Sequence, residues 1–294
     1  MLDLIKYSSL RLRNQEGRCS PKGPAFESAQ NTKIRFPQCT LEFKLPSHSP
    51  KRGDGTEQTR ILKDIYRLEG RSYNRNIMPS KSWEHELIAS RSWVFNGPWF
   101  TGYKGQVSFA MSGVNPGIQN PKLNFLHPKG FETGVLGFLT ASWGYRVYDE
   151  EQEIPEYKAP LNWSPLTHLK IPAARFDMEV AAPVSRYRFV FFPVSRDRLI
   201  HIRFSYWQAC AGSQQEQDQK IDPKPMQDLI DNIIRSIQLT PSPELEAELA
   251  EIKKSSPNLS VSPKCAPLKW PADVDKDGIT ILEYDKRRYA TPGY

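Results

Sequence analysis

The run "SRYRFVFFPVSRDRLIHIRFSYWQAC", residues 185–210, limits the fold more than any other part of the chain. Tyr187, Phe189 and Phe191 alternate with Arg186, Arg188 and Val190. After a turn at "PVSRDR", Ile200, Ile202, Phe204 and Tyr206 form one row and His201, Arg203 and Ser205 the other. Successive strand side chains point to opposite faces, so a period of two on both arms predicts an antiparallel hairpin. One face should pack on a core and the other should be polar. His201 then reads as a polar-face strand residue rather than a catalytic base. The next segment changes period. In "KPMQDLIDNIIRSIQL", Met226, Leu229, Ile230, Ile233, Ile234 and Ile237 recur at helical spacing, with Pro225 near the first turn and Pro241 just past the end. This is an amphipathic helix with a full apolar stripe.

The rest of the chain reads mainly as strands. "NTKIRFPQCTLEFKLPSHSP" alternates Ile34 and Phe36, then Leu41, Phe43 and Leu45, and predicts a strand or strand pair ending at Pro46. "TEQTRILKDIYRLEGR" places Ile61, Leu62, Ile65 and Leu68 at helical spacing before Gly70, and reads equally as a strand. Residues 83–110 are rich in aromatic and β-branched side chains, punctuated by "NGP" and "GYKG". "GVLGFLTASWGYRVYDE", with Leu136, Phe138 and Trp143, is expected to be another long strand, followed by an acidic loop and the short strand "RFDMEVAAP". "PELEAELAEIKK" is a second, mostly polar helix, with Ser242 as N-cap, acids early and Lys253 and Lys254 late. The expected class is α+β: one or more curved antiparallel β-sheets with one buried amphipathic helix and a polar surface helix. The expected organisation is an irregular segment over 1–30 and a main α+β domain over 31–240, open to division into two similar halves near 115–130. Residues 241–294 then supply the surface helix, a loosely attached loop and a C-terminal strand.

Composition narrows the class of function. Of 294 residues 25% are charged and 38% hydrophobic, which suits a globular chain, and no stretch approaches the roughly 20 apolar residues of a membrane helix. The net charge is +7, and residues 1–60 hold eleven Lys/Arg against six Asp/Glu. No run of five basic residues occurs, so the charge is a scattered surface that biases encounter, and nucleic acid is not the expected partner. The four cysteines, Cys19, Cys39, Cys210 and Cys265, form no CxxC pair, which argues against a zinc knuckle. Their even count and wide spacing suit two disulfides, Cys19–Cys39 and Cys210–Cys265 being the most natural pairing; four unconnected thiols are the alternative. Disulfides would place the protein in an oxidising compartment. Residues 1–10 show no signal peptide, so an exported protein would be one whose leader is absent from this chain.

Motifs that carry chemistry are scarce. There is no GxSxG, HExxH, P-loop, or GxGxxG after a strand. His48, His85, His127, His168 and His201 are scattered, and the neighbours of His85, Glu84 and Glu86, fall on the opposite face of a strand. "HLKIPAARFD" offers His168 and Lys170 in phospholipase D-like spacing, but Arg175 stands where the aspartate belongs and there is no second copy. The acids Asp149, Glu150, Glu151, Glu153 and Glu156 form a loop that could dock into a positive pocket on a partner. In "WVFNGPWFTGYKG", Trp99 and Tyr103 are candidate interface anchors, the alternative being strand-end core. Only Lys104 lies near them, too few cations for a single-stranded nucleic-acid platform. "DVDKDG" places Asp273, Asp275 and Asp277 as a calcium loop begins, but the twelfth position is Tyr284 and Glu283 comes one residue early. A non-EF calcium loop is the one candidate cofactor site, set against an Asp-Gly turn leading into a last strand over 279–284.

The ending "RLIHIRFSYWQAC…MQDLIDNIIRSIQL" resembles the close of PsbP-like α/β sandwich domains, where a long strand leads to a helix and a short strand. Bacterial immunity proteins of type VI secretion systems are similar in this respect. The resemblance covers roughly residues 180–240, and more faintly the strand "IRFPQCTLEFKLP". It implies a periplasmic protein without catalysis of its own, which binds a cognate toxin, a lipase or phospholipase effector, and occludes its site. Glu150, Glu151, Glu153, Glu156, Trp99 and Tyr103 are the expected contact residues. A hydrolase with a dispersed site and an exported carbohydrate- or lipid-binding module are the competing expectations.

Overall fold

The computed structural model describes residues 18–51, 60–61, 83–99, 101–116, 123–144, 147–149, 154–181 and 185–268. The class is α+β. The elements in chain order are β1 (Gln30–Arg35), β2 (Cys39–Leu45), β3 (Arg60–Ile61), β4 (Trp83–Asn96), β5 (Tyr103–Pro116), α1 (Pro128–Trp143), β6 (Val147–Asp149), β7 (Ile154–Pro155), β8 (Tyr157–Pro165), β9 (Ala174–Val180), β10 (Arg186–Ser195), β11 (Arg198–Gln208), α2 (Gln214–Lys220), α3 (Lys224–Arg235), β12 (Gln238–Pro241) and α4 (Pro243–Lys253). Seven strands form an antiparallel sheet in the order β3-β4-β5-β11-β10-β9-β8, and three form a second sheet, β1-β2-β12. β6 and β7 make a separate two-stranded ribbon.

Both faces of the large sheet are covered. On one face Trp93, Val107, Phe109, Val190, Phe192, Ile202 and Phe204 pack in a cluster with Leu41 and Phe43 of β2, the apolar stripe of α3, and Leu245 and Leu249 of α4. The Phe43 and Phe109 rings meet at 6.0 Å, joining the two sheets. On the other face Val114, Leu199, Phe176, Phe189 and Phe191 pack against Phe131, Val135, Phe138, Leu139 and Trp143 of α1. The hairpin β10–β11 was expected to have a polar face. Instead Phe189 and Phe191 are buried on one side and Val190 and Phe192 on the other. The apolar run "FVFF" marks a strand covered on both faces, and helix α1 supplies the second cover.

That helix is the main departure from the expected strand over residues 134–150. Buried Phe131, Gly134, Val135, Phe138, Leu139, Ser142 and Trp143 follow helical spacing over Pro128–Trp143. Pro128 starts the helix and the His127 side chain accepts from Lys129 N, capping it. Gly134 and Gly137 hid the pattern, since glycine weakens a helix interior. Gly134 has a packing reason: a Cβ there would lie 2.4 Å from the Phe125 ring. The acidic stretch is also not wholly a loop, because β6 and β7 pair across it.

α3 and α4 follow the sequence reading. Met226, Leu229, Ile230, Ile233 and Ile234 are buried on α3, and the Ser242 side chain accepts from Leu245 N at 3.3 Å to cap α4. The chain beyond α4 is tied down further than expected. Leu259 joins the first cluster and Val261 the second, and the Trp163 indole donates to Ser262 O at 2.8 Å. The segment over 57–72, apart from β3, and the expected strand over 279–284 lie outside the described residues.

Candidate functional site

Antiparallel order brings the ends of several strands to one rim of the large sheet. The β4–β5 turn, the last residues of β11 and β9 and the first residues of β10 and β8 all lie there, as the pairs Asn96–Tyr103, Arg186–Tyr206 and Tyr157–Val180 require. Among the described residues Trp99 is the one large apolar side chain left open to solvent, at 56% exposure. Its φ is 52°, in the left-handed region. A non-glycine residue there costs about 1–2 kcal/mol and persists only where its surroundings hold it. The turn supplies that restraint. Gly97 N donates to Gly102 O at 2.8 Å, and the Pro98 carbonyl accepts from Thr101 N at 3.1 Å and Thr101 Oγ1 at 2.7 Å. Gly102, with φ 72°, reverses the chain into β5. Beside it Lys51 Nζ sits 4.6 Å from the centre of the Tyr103 ring, a cation–π contact.

Along the same rim stand partly exposed Trp207, Tyr187 and Tyr157, on β11, β10 and β8. Their register puts all three on the α1 side of the sheet, where Tyr157 touches Trp143 at 5.9 Å between ring centres. The sequence reading missed them as surface residues. Their signal was an aromatic within one residue of the rim end of each strand, the start of β8 and β10 and the close of β11. Glu156, the residue before β8, is half-buried on this rim, and its carbonyl accepts from Ala181 N at 2.9 Å. Between β5 and β8 there are four strand spacings of about 4.8 Å, roughly 19 Å. Trp99, Tyr103 and Glu156 therefore share one rim. Glu150, Glu151 and Glu153 lie outside the described residues, as do Asp273, Asp275 and Asp277.

Other polar groups are committed to packing. Asp231 of α3 receives Arg175 Nη1 at 2.9 Å and Arg188 Nη1 at 2.7 Å, and Arg188 Nε reaches Asp177 at 2.8 Å. Burial alone would lower the Arg188 guanidinium, but its bond to Asp177 and the nearby charges hold it above its usual range. This network fastens α3 to the sheet. His201, expected on a polar face, lies 5% exposed beneath α1, because that helix covers its side of the sheet. His85 lies beside it at 6.3 Å between ring centres. Glu84 and Glu86 alternate away to the other face, so among the described residues this pair of imidazoles has no carboxylate to complete an acid–base set. Among the described residues no group of three or more His, Cys, Asp or Glu is placed to hold a metal ion.

The expected disulfides are not formed; all four cysteines are free thiols. The fold places them against different elements. Cys19 N donates to Lys220 O, fixing that segment beside Ile221, while Cys39 Sγ approaches Val194 O at 3.8 Å within the first core cluster. Cys265 packs against the second cluster on the α1 side, and Cys210 follows β11 near the rim. Burial pushes the Cys39 thiol up to about 12, which makes it inert. No known family matches the chain, and comparison with curated proteins and with solved structures finds no match.

Proposed function

We propose that the protein is an immunity-type inhibitor that binds a secreted antibacterial lipase or phospholipase in the periplasm and occludes its active site, without chemistry of its own. The observation that supports this reading is the exposed Trp99, held at positive φ by a locked turn on a rim that also carries Tyr103, Trp207, Tyr187 and Tyr157. Aromatic side chains that are rigid before binding lose little entropy on contact and are common interface anchors. A rim roughly 19 Å long, counted in strand spacings, suits the patch of an interface burying on the order of 1,600 Å². Glu156 and the acids before it supply negative charge to an otherwise basic chain, and this charge could enter the cationic pocket of a phosphodiesterase-type site.

The test is co-expression with candidate periplasmic lipase effectors, scored by survival, followed by calorimetry on the rescuing pair. Trp99→Ala is expected to weaken that complex at least tenfold, and reversal of Glu150, Glu151, Glu153 and Glu156 to Lys to weaken it further. Full affinity in both variants would remove the rim from the interface. An aromatic rim also suits a carbohydrate-binding module. Binding of soluble polysaccharide that is lost in Trp99→Ala, with no effector rescue, would establish that reading instead.

A further inference from the structure

The geometry beneath α1 points to an acid-sensitive latch: we propose that His201 and His85 hold the helix on the sheet only while both are neutral, and that protonation releases α1 from that face. His201 is 5% exposed, and both of its ring nitrogens are buried with no hydrogen-bond partner among the described residues. Its ring stacks on Phe191 at 4.8 Å and Phe189 at 5.2 Å from the strand side, and meets Phe138 at 5.2 Å and Trp143 at 6.5 Å from the helix side. Buried polar atoms are nearly always paired, so an imidazole packed as an aromatic ring is an anomaly that calls for a cause.

The surroundings offer a proton no counter-ion. From β10 come Phe189 and Phe191, and from α1 Phe138 and Trp143. β5 brings Ser112 opposite His201, and β4 brings Leu87 in the same row and His85 in the next. Glu84 and Glu86 face the other side, where Glu84 accepts from Asn115 Nδ2 at 2.8 Å. The charged group that acts on the pair from this face is Arg203 of β11, itself a cation. Among the described residues no carboxylate faces the pair. Burial is the main cause holding His201 well below its ordinary value, with the His85 and Arg203 charges adding to it. Burial and then Arg203 push His85 down to about 4.

The direction follows from linkage. A histidine whose folded value is lowered contributes stability that is complete above its unfolded value near 6.5 and is lost as pH falls through that value toward the folded one. At pH 5 the drop of His85 from near 6.5 to about 4 makes its protonation favour the opened state by about 30-fold, and His201, lowered in the same direction, adds to it. The helix is the element free to move. Its backbone bonds are internal, whereas the strands beneath it are locked in a ladder. Side-chain packing, the Glu132–Ser262 bonds and the contact of its N-cap His127 Nε2 with Ser256 Oγ at 3.2 Å hold it down.

Hydrogen exchange at pH 7.5 and 5.0, corrected for intrinsic rates, tests the latch. The expected result is that α1 loses at least tenfold protection at pH 5 while β5 and β11 keep theirs, and that His201→Phe retains α1 protection at both pH values. Equal loss in the wild type and His201→Phe would overturn the proposal, as would simultaneous loss in every strand. Should His201→Phe not fold, the imidazole Cε1 resonances of the wild type decide. His201 titrating near pH 6.5 with α1 still protected would refute the latch. A His201 signal that stays neutral until α1 opens supports it.

Discussion

Trp99 combines two properties that a stable surface does not favour, an exposed indole and a left-handed backbone. Replacing it with glycine removes both. The left-handed strain of about 1–2 kcal/mol disappears, offset by the extra unfolded-state freedom of glycine, about 0.4–1 kcal/mol. Trp99→Gly should therefore unfold at an equal or higher urea concentration than the wild type, while binding of the proposed effector falls. A drop in the midpoint would mean that the indole stabilises the fold and is no dedicated anchor. Asp231 poses the opposite case. It accepts from two guanidinium groups, and removing it leaves Arg188, whose side chain is 16% exposed, with Asp177 alone. Asp231→Ala should cost about 2 kcal/mol in urea unfolding, the usual penalty for a partly buried charge that loses a partner. At this scale the sequence disclosed Trp99 through its Gly/Pro-rich turn, but not the burial of His201. Alternation places His201 opposite Ile200 and Ile202, and nothing in the strand itself says that a helix from sixty residues earlier will cover it.

The helices differ in how plainly they are written. α3 carries five buried aliphatic residues at helical spacing between prolines, and no strand pattern competes. α1 has the same kind of stripe in aromatic residues broken by Gly134 and Gly137, so its composition favours a strand and its period is blurred. The two glycines separate propensity from packing. Gly137→Ala would meet only Trp83 Cζ2 at 3.7 Å, an ordinary contact, so the helix should gain up to about 1 kcal/mol. Gly134→Ala would bring its Cβ to 2.4 Å from the buried Phe125 ring, and overpacking of about 1–3 kcal/mol should exceed the same helical gain. Urea midpoints of the two variants should therefore move in opposite directions. A shared direction would show that Phe125 can yield.

The large sheet joins two strand groups that are distant in sequence, β3–β5 and β8–β11, along the β5–β11 seam. Ten residue pairs, from Leu199–Val114 to Gln208–Gly105, make that seam continuous. The two core clusters lie on opposite faces of the same strands: Val190 and Phe192 belong to one, Phe189 and Phe191 to the other. Neither cluster can be lost without exposing the back of strands that the other needs. The expectation at pH 7.5 is one cooperative transition seen alike by far-ultraviolet circular dichroism and by tryptophan fluorescence, since Trp93 reports the first cluster and Trp143 and Trp163 the second. Ile230→Ala on α3 and Phe138→Ala on α1 should each shift that whole transition, by about 2–5 and 3–5 kcal/mol. Two resolved transitions at neutral pH would mean that the seam does not couple the faces. At pH 5 the same sheet should behave differently. With His201 and His85 favouring release of α1, fluorescence from Trp143 should change before the circular dichroism of the strands does, and Trp93 should follow the strands. Variants that keep Trp93 or Trp143 as the sole reporter among the seven tryptophans distinguish these phases directly. Coincident curves at pH 5 would leave the two faces coupled under acid as well, and the helix no more separable than any strand it covers.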